Sequence, residues 1–386
     1  METQKVRLSN IELLKVIAII LIIFSHTIPY YGDAAAPFFV DINLASGNFQ
    51  IIAVSYFKYF GRIGTAIFIF CSAYFLVDSK GIKVRKILYI VVDTFVISVI
   101  YLCGFLIGGY KLSASTIALQ FIPITSRFNW FIGCYLIIYA VHPLLNKIIH
   151  GTGKRNLLVF NIFLFVVYNL LEFVGGEVLN MYYYTHLVGF VCLYFFAGYI
   201  KKYMQGFIGK TKLQAIILVA CIVCHTALFA LTEYLGTKIE FMADKIDHWD
   251  EINNPFMIGI AISSFALFSK LKFQSRFVNY LSSLSLLVYI IHENKLFRDL
   301  AKPQVFEFIY ERFSYDRLAA WCVLFTFVTF VAASALAALY KESLGRLTKM
   351  AIDKSYPKLS AAGNKILDKL AGKEEQEQIK DDENKD

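Results

Sequence analysis

Ten runs of apolar residues, each close to the length that crosses a bilayer as a helix, fill most of the chain between residues 11 and 340. They cover residues 11–28, 55–77, 87–109, 128–146, 157–174, 185–200, 213–235, 253–269, 277–293 and 318–340. With 58% of its 386 residues hydrophobic and only 17% charged, the chain lacks the polar surface a water-soluble domain of this size requires. In hydrocarbon every backbone polar group must find an internal partner, which leaves helices as the spanning element for runs of this kind. The expected fold is therefore all-α and polytopic, with about ten transmembrane helices in contact with the lipid bilayer. The 36 Phe and 24 Tyr suit such a bundle.

The cations give that bundle an orientation. With the N-terminus in the cytosol, 26 of the 38 Lys and Arg fall in cytosolic segments, nine in outer loops and three (Lys15, Lys58, Arg62) in or beside spans. Both termini are expected inside, in a multi-pass protein of the cell membrane. The net charge of +9 is then mostly a topology signal, and no nucleic-acid partner is expected. The first run starts basic and apolar like a signal peptide, but Ser25-His26-Thr27-Ile28-Pro29 offers no small-x-small cleavage site, so an uncleaved first span is expected. All seven cysteines lie inside predicted spans, as small buried hydrophobes rather than a disulfide framework. Cys221-Ile222-Val223-Cys224-His225 matches a haem-attachment spacing, but in mid-span it reads as coincidence.

Two regions follow from composition: a transmembrane domain over residues 1–340 and a cytosolic segment over 341–386, basic at first and ending in a disordered acidic tail, KEEQEQIKDDENKD.

Polar residues in the spans fall into two layers. Glu12, Lys15, Lys83, Arg85, Lys86 and Asp93 belong near the inner surface; His26, Lys58, Arg62, Trp130, His186 and His292 belong near the outer one. Lys15 and His26 share the first helix, eleven residues or about 16 Å apart and near one face. Ionisable groups inside a span are costly and so are candidates for function. Each also has an ordinary explanation: Lys15 snorkels or pairs with Glu12, Arg62 pairs structurally, and Lys83, Arg85 and Lys86 simply obey the charge rule. Asp93 in the third span neutralises one of these cations. A clamp for phosphate is the functional alternative for the basic trio. His142, before Pro143, reads as structural. No metal site is expected.

IELLKVIAIILIIFSH resembles the opening of the integral-membrane acyltransferase-3 family, an R/K-x10-H pattern in which Lys15 stands for the commoner arginine. FGRIGTAIFIFCSAYFL resembles that family's RIGVPLFFLISGYLL stretch, departing at Ala73 where glycine is usual. KVRKILYIVV is similar to the basic start of its third span, and NWFIGCYLIIYAVHPLL to its LWFL…YLLTPLL stretch, with His142 in place of threonine. LSLLVYIIHENKL resembles the late FGIYLIH motif. Each motif is weak alone; five in order are specific.

The resemblance implies transfer of an acyl group, most often acetyl, from cytosolic acetyl-CoA to a hydroxyl of a surface polysaccharide or lipid-linked glycan. It places His26 as general base or as an acyl relay, with Lys15 and Arg62 assisting catalysis. Arg85, Lys86 and Lys83 would hold the donor's phosphates, and His292 and Trp130 would meet the acceptor. The competing class is a secondary transporter or exporter of an anionic solute or glycan precursor, which also needs charges in the membrane. The chain shows no inverted repeat to favour it.

Overall fold

The computed structural model describes residues 7–28, 45–124, 129–175, 186–243, 245–313 and 317–383. Among the described residues there is no strand, and the helices that matter here are numbered in chain order: α1 Ser9–His26, α2 Phe49–Leu76, α3 Val84–Ile107, α4 Trp130–Gly151, α5 Lys154–Gly175, α6 His186–Tyr203, α7 Thr211–Gly236, α8 Pro255–Phe268, α9 Arg276–Ser283, α10 Ser285–His292, α11 Lys302–Phe313, α12 Leu318–Glu342 and α13 Leu344–Glu383.

Seven of these (α1 to α5, α7 and α12) are long and apolar enough to cross a membrane. The remaining three expected spans take other forms. The 185–200 run is α6, closed by Lys201 and Lys202, and the 253–269 run is the 14-residue α8. The 277–293 run is not one helix: it divides at Leu284 into α9 and α10. A broken helix is tolerated at membrane depth where protein covers the freed backbone, and Leu284 is itself buried. His292 is the last residue of α10.

After α12 the chain continues as the helix Leu344–Glu383. Its Lys, Glu, Gln, Ala and Leu are strong helix formers. The helix lies against the start of α3, where Tyr89 and Arg85 both reach Asp353.

Helices α1 and α2 form the centre. Over half of each apolar window is buried, against 17% for α7, whose Ile216, Val219, Ile222 and Val223 face outward. Two glycines in Phe60-Gly61-Arg62-Ile63-Gly64 allow the central pair to touch. A Cβ at Gly64 would stand 2.4 Å from the Ala18 carbonyl oxygen and 2.9 Å from Ile22 Cγ1, and one at Gly61 would stand 2.2 Å from Ser25 Oγ. Without a hydrophobic drive between helices in lipid, such close backbone packing is the main attraction. Gly64→Val is expected to cost about 1–3 kcal/mol or more by overpacking, seen as a lower melting midpoint in detergent. Gly81→Ala, with nothing within 4 Å, should leave the midpoint unchanged.

The start of α1 is tied to the far end of the chain. Asn10 Nδ2 donates to the carbonyls of Phe268, Ser269 and Leu271 at the end of α8, and Ser9 Oγ lies 2.9 Å from both Gln274 Oε1 and Asn279 Oδ1, its one proton going to one of them. At its other end, Thr27 Oγ1 meets Thr326 Oγ1 of α12 at 2.7 Å. Both ends of the central helix are thereby fixed, and with them the positions of Lys15 and His26.

Candidate active site

His26 is the last residue of α1 and His292 the last of α10. The two rings stack with centroids 5.3 Å apart, and His26 Nδ1 lies 3.0 Å from His292 Nε2. His292 Nδ1 lies 2.7 Å from the Val288 carbonyl oxygen, which can only accept, so that nitrogen carries the proton. His292 Nε2 must then accept, and His26 Nδ1–H donates to it. The tautomer inferred from this network leaves His26 Nε2 with a free lone pair.

Glu293, directly after His292, completes the arrangement. Its Oε2 lies 3.1 Å from His26 Nδ1 but takes no hydrogen bond of its own, because the Nδ1 proton points at His292. Its Oε1 accepts from Arg298 Nη1 at 3.0 Å. Arg298 Nε donates to Asp299 Oδ1 at 3.1 Å, and Lys295 closes the chain on Asp299. A buried carboxylate thus sits against His26, held by Arg298, Asp299 and Lys295. Tyr289, edge-on to His292 at 5.8 Å, packs under the pair, and Tyr101 Oη donates to the Ile291 carbonyl to anchor α10 on α3.

A second wall comes from α2 and α4. Arg62 Nε donates to the Asp250 carbonyl at 3.1 Å and lies 3.6 Å from Asp250 Oδ1; Lys58 lies 3.8 Å from Oδ2. Burial raises the Asp250 carboxyl to about 6, while Arg62 and then Lys58 pull it back toward ionisation. The Arg62 guanidinium stands 5.7 Å from the Trp130 ring, which packs on His186 at 4.2 Å. Arg62 also acts electrostatically on His26.

The inner layer is a separate place. Lys15 pairs with Glu12 at 2.8 Å, and Glu12 also accepts from Ser282. Lys83 precedes α3 and is exposed. Arg85 faces Asp353 at 3.6 Å and covers the Tyr356 ring at 4.6 Å, while Lys86 covers Tyr139 at 4.7 Å and donates to Tyr135 Oη at 3.2 Å. Asp93 does not neutralise any of these: it accepts from Tyr340 Oη at 2.8 Å. His142 is fully buried, with Nδ1 on the Tyr139 carbonyl at 2.6 Å, as a structural histidine would be.

The structure therefore joins His26 to His292, sets Arg62 beside Trp130, and leaves Lys15 and the Lys83–Arg85–Lys86 group apart. Both ring nitrogens of His292 are engaged, one with the Val288 carbonyl and one with His26. The ligand atoms of His26, His292 and Glu293 lie within 4.8 Å of one another, close enough to embrace a metal ion. Lys302, Arg298 and Arg62 all act on that point, which opposes a dication there.

Against this geometry, a family model described as an acyltransferase domain matches residues 8–339, nearly the whole bundle. The chain belongs to the acyltransferase-3 family. No curated protein and no solved structure matches it. The match begins before α1 and ends inside α12, so the histidine pair and both walls lie within the acyltransferase domain, and α13 lies beyond it. The match gives no support to a solute carrier.

Glu293, Arg298 and Tyr289 escaped sequence reasoning. The signal was present in His292-Glu293-Asn294-Lys295 followed by Arg298-Asp299, a dense run of charge at the end of an apolar helix.

Proposed function

We propose that this acyltransferase is a membrane-bound O-acyltransferase that moves an acetyl group from cytosolic acetyl-CoA to a hydroxyl of a surface polysaccharide or lipid-linked glycan. The observation that carries the reading is the His26 ring: Nδ1 is tied to His292 with the Glu293 carboxylate beside it, and Nε2 is left free as a general base.

In this reading the acceptor hydroxyl gives its proton to His26 Nε2 as its oxygen attacks the thioester carbonyl. The tetrahedral centre then collapses, the carbon–sulfur bond breaks, and the imidazolium returns the proton to the departing thiolate. Glu293, 3.1 Å from Nδ1, stabilises the positive ring formed between the two steps. Trp130 and Arg62 form the wall that orients the acceptor. The donor's phosphates meet Arg85, Lys86 and Lys83 at the other surface, and Lys15 stands on the route about 16 Å from His26.

Two experiments address this. Glycans from cells with and without the gene should differ by an O-acetyl ester on one surface polymer; identical glycans would remove the acceptor class. Arg85→Ala with Lys86→Ala should raise the apparent KM for acetyl-CoA roughly tenfold, the loss of one or two charge-assisted phosphate contacts. An unchanged KM would return both residues to Asp353, Tyr356 and Tyr139, their partners in the structure.

A further inference from the structure

Just outside the histidine pair, three cations face two carboxylates. Glu293 is paired with Arg298, and Asp299 with both Arg298 and Lys295. Lys302, the first residue of α11, has no such partner. The residue is only 8% exposed and its ammonium rests on the Phe306 ring at 5.5 Å, yet among the described residues it makes no ion pair or hydrogen bond. A charge taken from water without a partner is costly, and a protein that keeps one holds a vacant place for an opposite charge.

That place is near His26: Lys302 follows Arg298 by four residues in one continuous helical stretch, Arg298 pairs with Glu293, and Glu293 Oε2 lies 3.1 Å from His26 Nδ1, so Lys302 and Arg298 both act on the His26 ring. The groups facing Lys302 are His26 from α1, His292 and Glu293 from the end of α10, Arg298 and Asp299 from the turn Phe297–Ala301, and Cys322 from α12. Burial brings its ammonium down to about 8, Glu293 resisting and Arg298 reinforcing the change. The charge is therefore present at neutral pH and lost as the pH rises through about 8.

We propose that Lys302 supplies an anion-binding position beside His26, taking an oxygen anion of the reaction. That anion has two sources of one chemistry: the oxyanion formed on the thioester carbonyl when the acceptor attacks, or an acid group carried by the acceptor. The inference rests on His26 being the catalytic base.

The test uses the full chain in membranes, as wild type, Lys302→Met, Lys302→Arg and His26→Ala. Two rates are followed with radiolabelled acetyl-CoA across pH 6–10: CoA thiol release with water as the only acceptor, and label transfer to the cell's own surface glycans. Wild-type transfer should fall above pH about 8. Lys302→Met should lower transfer at pH 7 by roughly thirtyfold or more, within the range a lost electrostatic donor gives. Lys302→Arg should recover part of that loss and keep its rate beyond pH 9, because guanidinium stays charged. A fall in both rates places the anion on the reacting carbonyl; a fall in transfer alone places it on the acceptor. Wild-type rates in Lys302→Met, or a Lys302→Arg profile that still falls near 8, overturn the proposal. His26→Ala separates the two claims: if it stays active, the base assignment has failed, whatever Lys302 does.

Discussion

Replacing His26 by alanine is expected to lower acyl transfer by about a thousandfold, the middle to upper part of what a general base contributes. The substitution removes the only nitrogen in the network with a free lone pair, and leaves His292 Nε2 and Glu293 Oε2 without their shared partner. Folding should survive, because α1 is held by Asn10 and Ser9 at one end and by Thr27 on Thr326 at the other, none of which involves the imidazole. An unchanged elution profile in detergent beside a lost rate is the expected pair of results. His26→Gln, which retains a donor but no base, should be as inactive.

Glu293→Gln is the second large effect, expected at roughly a hundredfold or more on kcat. The neutral amide cannot stabilise a protonated His26, and it leaves the half-buried Arg298 with Asp299 as its remaining ion-pair partner. Residues that act as one unit lose little more when both are removed. Glu293→Gln added to His26→Ala should therefore change the residual rate less than twofold. Independent effects that multiply would separate Glu293 from the base.

Much of this architecture could be read from the sequence, for physical reasons that differ from place to place. Apolar length alone located the helices from α1 to α5, α7 and α12, because a span must bury its backbone whatever surrounds it. The Lys15–His26 spacing was also visible, since both residues ride on one rigid helix. The break at Leu284 was not. Leu281 to Leu287 is uniformly apolar or small, and only packing around the buried Leu284 decides that the chain turns there.

The pairing of His26 with His292 joins residues 266 apart, and no local pattern encodes such a contact. The fold supplies it, with both ring nitrogens of His292 engaged. Glu293 was hidden for a related reason: at a span end a carboxylate usually meets water, and only the fold shows this one turned inward. In the tail, residues of low hydrophobicity but strong helix propensity continue α13 to Glu383.

The most direct test of the central claim is the initial rate of label transfer from radiolabelled acetyl-CoA to surface glycan in membranes holding wild-type protein or His26→Ala at equal amounts. The account predicts clear transfer by the wild type and a rate about a thousandfold lower for the variant. Equal rates from the two would contradict it.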